Sequence, residues 1–182
     1  MIEISYLQIF ILITIIWTFV RFAIAVRSKK FSAKRELQML LVYICLVVIT
    51  RFVYFPLHRV DGKIGTLTIG FSEAPSDMVS IIPFYFLFDR YDGWLINVIG
   101  NIAMFIPVGI VWPICFRELD NIIKTVLAGV GLIIFIELSQ LLCIDRHTDI
   151  DDVILNTCGV LIGAGIIFTI RMVQKHEFLR NR

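Results

Sequence analysis

The sequence predicts an all-α integral membrane protein: a bundle of five transmembrane helices forming one domain over residues 1–182, N-terminus outside and C-terminus cytoplasmic. Three observations predict it. Hydrophobic residues make up 58% of the chain, where soluble domains sit nearer half, and the mean hydropathy is +0.87. Five apolar runs are each long enough to cross a hydrocarbon core of roughly 30 Å. Lys and Arg collect on alternate connections between those runs, as membrane topology requires.

The first span is expected over 4–26. It does not read as a secretory signal: Glu3 precedes it without a basic cluster, the apolar run is too long, and no small-x-small cleavage site follows. Arg21 lies near its far end, just before Arg27, Lys29 and Lys30. A side chain snorkelling to the interface accounts for it. A second span over 37–57 holds Arg51 about two turns from its end, deep enough that a partner inside the bundle competes with snorkelling.

Residues 58–93 form the long loop, placed outside, with Gly62, Gly65, Gly70 and Pro75 as turn formers and Asp61, Glu73 and Asp77 as solvated acids. Its part from Ile81 to Phe88 is strongly aromatic and too short to span. An interfacial or re-entrant segment is expected there, since aromatic rings favour the headgroup level. The third span, 94–116, contains Pro107 and Pro113 and should kink. Spans at 122–143 and 152–172 complete the set. Cys45, Cys115, Cys143 and Cys158 lie in apolar runs at unrelated spacings, which suits small core residues rather than a zinc site or disulfide framework.

Orientation follows from charge. Arg27, Lys29, Lys30, Lys34, Arg35, Arg117, Lys124, Arg171, Lys175, Arg180 and Arg182 fall on one side, which is therefore cytoplasmic. Only Arg59, Lys63, Arg90 and Arg146 fall on the other, together with most of the acids.

The most polar run, 146–156, links the last two spans. It holds Arg146, Asp149, Asp151, Asp152 and Asn156 at the mouth of the fifth helix, where charge is expensive. Helical rise puts other polar residues at a matching depth of roughly 10 Å from the outer ends: Asn97 and Asn101 on the third span, Glu137 and Gln140 on the fourth, Arg51 on the second. Their shared level predicts one outward-facing polar pocket. Simpler roles compete with it. Asn97, Asn101 and Gln140 suit interhelical hydrogen bonding alone, Glu137 and Arg51 suit a structural ion pair, and Thr148 or Asp149 suits a helix cap. None of these explains the whole acidic cluster. Asp152, Asn156, Gly159 and Gly163 form one stripe of the fifth helix, and its GxxxG reads as a close-packing face.

These blocks together resemble the VanZ-like membrane proteins. The resemblance rests on Ile82–Pro83–Phe84, on Asn97-x-x-Gly100–Asn101-x-x-x-Phe105-x-Pro107-x-Gly109, on Glu137-x-x-Gln140, and on Arg146-x-x-Asp149-x-Asp151–Asp152-x-x-x-Asn156-x-x-Gly159-x-x-x-Gly163. It covers about 81–165 and leaves out the first two spans, so Arg51 enters on depth alone. The resemblance implies a polytopic protein of Gram-positive bacteria linked to resistance to glycopeptide antibiotics, teicoplanin in particular.

Two functions compete. In the first, the protein binds or modulates a cell-envelope amphiphile: a lipid-linked wall precursor, an anionic wall polymer or the acyl-bearing antibiotic. Arg146 would meet a phosphate or carboxylate, and Pro83–Phe84 would cover the acyl part. In the second, Asp149, Asp151 and Asp152 hold Mg²⁺ or Ca²⁺, and Glu137 acts as general acid or base on a lipid-linked phosphate. The first is preferred, because the chain shows no His cluster, HExxH, activated nucleophile or nucleotide motif. His147 reads as a solvated loop residue. The partner expected throughout is the lipid bilayer; no nucleic acid is expected.

Overall fold

A computed structural model describes residues 2–28, 32–55, 59–60, 63–70, 79–84, 93–144 and 146–181. Five helices are long and apolar enough to cross a membrane: α1 (Tyr6–Ser28), α2 (Ala33–Tyr54), α3 (Trp94–Cys115), α4 (Ile122–Gln140) and α5 (Ile150–Arg180). Each expected span has its helix. The fifth runs past its expected end at 172 to Arg180, because Val173, Phe178 and Leu179 alternate with good helix formers and no Pro or Gly intervenes. α3 continues through Pro107 and Pro113 as one helix.

Short strands join the helices, which hydropathy alone does not predict: β1 (Ile2–Ile4), β2 (Arg59–Val60), β3 (Lys63–Ile64), β4 (Leu67–Ile69), β5 (Val79–Ser80) and β6 (Thr148–Asp149). Ile4, expected to open the first span, instead ends β1. Of the expected interfacial segment, 81–82 form neither helix nor strand and 83–84 turn; 85–88 lies outside the described residues.

The chain packs as two compact units. The first comprises Met1–Met78 with Ser139–His147. Here β1 pairs antiparallel with β4, Ile2 opposite Ile69 and Ile4 opposite Leu67. The other edge of β4 meets the chain after α4: Gly70 N–H donates to the Leu142 carbonyl and Ile144 N–H to that of Thr68, both at 3.0 Å. Phe55, Leu67 and Cys143 form the buried centre, with Tyr6, Ile9, Tyr54 and Ile64 against it. α1 buries none of its residues, consistent with a helix whose apolar surface is left to lipid. It touches α2 through polar side chains, Thr14 Oγ1 lying 2.7 Å from the Tyr43 hydroxyl.

Arg21 departs from the snorkelling expectation. Its Nε and Nη2 meet the Glu36 carboxylate at 3.0 and 2.5 Å. The connection between α1 and α2 brings the first turn of α2 back beside the last turns of α1, and a planar guanidinium matches a carboxylate two bonds at a time.

The second unit comprises Val79–Leu138 with Thr148–Arg182. Its centre is the α3–α5 crossing. A Cβ on Gly159 would strike the Ile102 carbonyl, one on Gly163 the Ile106 carbonyl, and one on Gly109 the backbone of Val160 and Ala164. The GxxxG of α5 is therefore a close-packing face, and Gly109 is its counterpart on α3. α4 joins at Gly129, against the Val160 side chain. Phe105, Val108, Val160 and Ala164 are fully buried there. At the far end, Arg171 Nη2 donates to the Pro113 carbonyl at 2.7 Å, a cation on the last carbonyls of α3.

Candidate functional site

Where α5 begins, the second unit gathers its acids. Asp149 is the N-cap of α5: its backbone is extended and its carboxylate accepts from Asp151 N–H at 2.9 Å. Of the two capping candidates in the sequence, Asp149 therefore takes the role. A short acid before an apolar helix does this because its oxygen replaces the missing intrahelical acceptor. The preceding residue ties back to α4, Thr148 Oγ1 donating to the Glu137 carbonyl at 3.1 Å. Asp149 N–H donates to Glu137 Oε2 at 3.3 Å.

The segment before α3 is fastened to the same place. β5 and β6 pair in parallel, Val79 opposite Thr148 and Ser80 opposite Asp149. Four residues on, Phe84 has φ 63°, a left-handed conformation uncommon for a bulky side chain. Its N–H donates to Asp151 Oδ1 at 2.5 Å. Asn101 of α3 donates to Asp152 Oδ1, also at 2.5 Å. Glu137, Asp149, Asp151 and Asp152 are thus linked by hydrogen bonds or chain adjacency, and α3, α4 and α5 each contribute. Glu137 and Asp151 are 5% exposed and Asn156 2%, so these groups are removed from water inside the protein.

Asn101, Glu137, Asp149, Asp151, Asp152 and Asn156 thus all belong to the second unit, and all but Asn156 take part in the bonds above. Asn97, one turn before Asn101, is exposed. Arg51, Gln140 and Arg146 belong to the first unit. Arg51 donates to the Phe55 carbonyl at 3.1 Å and lies over the rings of Tyr6 and Phe52, a basic side chain on the last carbonyls of α2. Gln140 is buried, with Nε2 3.5 Å from the Val53 carbonyl. Arg146 is half-buried.

The three acids grouped for a cation are spent differently. Asp149 caps α5, Asp151 holds Phe84 and Asp152 takes Asn101. Among the described residues, no three His, Cys, Asp or Glu side chains converge as metal ligands. Hard cations need six or more oxygens around one point, and an acidic sequence cluster does not guarantee that convergence. What residue types could not reveal is the main-chain share of the site: among the described residues, the amides of Phe84, Asp149 and Asp151 are three of the four donors to its carboxylates. Only the capping expectation at Asp149 carried a signal for one of them, the Asp151 amide.

Five membrane-crossing helices, and a hydrogen-bonded acidic network at one end of a glycine-packed helix pair, define a multi-pass membrane protein with a polar site built between its spans. The chain belongs to the VanZ/LLP1 family, whose model matches residues 39–171. That match reaches back into α2 and takes in Arg51, beyond the blocks that carried the resemblance. No curated protein sequence and no solved structure matched the chain.

Proposed function

We propose that the protein binds the head group of a cell-envelope amphiphile at the α5 entrance, facing outward, and so contributes to resistance to teicoplanin-type glycopeptides. One observation carries this reading: a run of bonded carboxylates from Phe84 through Asp151 and Asp149 to Glu137, buried among spans that hydropathy places in the bilayer. Acids inside a membrane bundle are costly and are kept where they contact a ligand or pathway. Val79–Phe84, fixed on these acids, leaves Ile81 and Ile82 exposed at 77% and 59%, an apolar rim suited to an acyl chain. A polar floor with an apolar rim fits an amphiphile held partly in the membrane.

The test is expression in a teicoplanin-sensitive host, with binding measured on purified protein in nanodiscs. The wild type should raise the inhibitory concentration and bind lipid-linked wall precursor or teicoplanin saturably. Asp152→Asn should lose both effects at unchanged expression, while Arg117→Gln, in the connection between α3 and α4, should keep both. Turnover of a lipid-linked phosphate to product, or equal loss in the two variants, would overturn the reading.

A further inference from the structure

The charge balance of this site has a consequence for its ligand. Glu137, Asp149, Asp151 and Asp152 receive hydrogen bonds from three backbone amides and the Asn101 amide. All four donors are neutral. They satisfy oxygen lone pairs without cancelling charge. The Arg21–Glu36 and Lys124–Asp120 ion pairs lie elsewhere, and among the described residues no ion pair to these four carboxylates is seen. Burying several carboxylates without a counter-charge is strongly unfavourable.

A second, independent feature points the same way. Asn156 lies one helical turn beyond Asp152 on the same face of α5. Its Oδ1 is fully buried and has no hydrogen-bond partner among the described residues. Buried polar atoms are nearly always paired, so this acceptor calls for a donor that the described protein does not supply. An orphan acceptor beside a net negative cluster defines the missing group by chemistry: a cation carrying several N–H donors. A phosphate offers neither the charge nor the donors. Among the described residues no three acidic, His or Cys side chains form a metal site, whereas an ammonium is satisfied by three acceptors, so the cation assigned is an ammonium on an organic head group.

We infer that the site between α3, α4 and α5 takes an amphiphile through a primary ammonium group, held by the carboxylates of Asp152 and Glu137 and the side-chain oxygen of Asn156. This deepens the binding reading above and rests on it. Such an ammonium has two sources, an aminoacylated lipid or an amine-bearing lipoglycopeptide.

The experiment uses the full chain in nanodiscs and two probes with the same tail, dodecylamine and dodecyl phosphate. Dodecylamine should bind at least tenfold tighter than dodecyl phosphate after subtraction of protein-free nanodiscs. Asn156→Leu and Asp152→Asn should each weaken the amine tenfold or more and leave the phosphate unchanged. Asn156→Asp, which adds an acidic acceptor, should tighten the amine; a fall there in a protein with wild-type melting overturns the inference. If the phosphate binds as tightly as the amine and loses affinity in Asp152→Asn, the site stands and the ammonium assignment fails. If neither probe binds above background, and precursor and teicoplanin do not bind either, the binding reading itself fails. Once the amine is preferred, lysyl-phosphatidylglycerol doped into the disc and teicoplanin added to solution separate the two sources, and competition with dodecylamine by neither overturns the inference.

Discussion

Replacing Asp151 with Ala removes the acceptor that holds Phe84 at 2.5 Å. A hydrogen bond to a charged group contributes about 1.5–3 kcal/mol. The Phe84 backbone, at φ 63°, costs a side-chain-bearing residue about 1–2 kcal/mol relative to ordinary conformations. With the carboxylate gone, that cost favours release of the turn. At about 1.4 kcal/mol per factor of ten, loss of the bond alone speeds exchange of the Phe84 amide about 10- to 150-fold. Hydrogen–deuterium exchange on the protein in nanodiscs, read at peptides covering 79–84, gives the value directly. Asp151→Asn keeps a neutral acceptor and should give a smaller rise. Amides in the middle of α5, such as that of Val160, serve as the reference and should not change. An unaltered Phe84 amide in Asp151→Ala would refute the latch, and so would an equal acceleration at Val160, which would mean general unfolding.

Two further outcomes follow from packing and charge. Gly159→Ala should lower the melting stability of the protein by about 1–3 kcal/mol, since the new methyl meets the Ile102 carbonyl and overpacking costs that much. Gly165→Ala, where a Cβ meets nothing, should instead be neutral or stabilising by up to about 1 kcal/mol on helix propensity; thermal melts in detergent that rank the two the other way would contradict the α3–α5 interface. For Arg21 and Glu36, with side chains 16% and 32% exposed, a double-mutant cycle with Arg21→Gln and Glu36→Gln should give a coupling of about 0.5–1 kcal/mol, the upper part of the range for surface pairs. A coupling near zero in the same melts would mean that the pair does not hold α1 to α2.

Much of this architecture was legible before any coordinates. A span is a one-dimensional property, about 20 apolar residues in a row, and so all five helices could be read from hydropathy. The stripe of Gly159 and Gly163 was legible for a related reason: helical periodicity turns sequence spacing into a shared face. Periodicity and rise also placed Asn101, Glu137, Asp152 and Asn156 at one depth, and the structure assigns them to one unit. Rotation about the helix axis was not legible, because it depends on which surfaces pack. Asn97 and Asn101 are four apart, yet only Asn101 meets Asp152. Nor could the sequence pair Arg21 with Glu36 across a connection whose path it does not state, or β1 with β4 across some sixty residues. The amides of Phe84 and Asp149 were invisible for a deeper reason. Every residue but proline carries the same N–H, so a site built from main-chain donors leaves almost no mark in residue type, and only the folded path of the chain brings those donors to the acids.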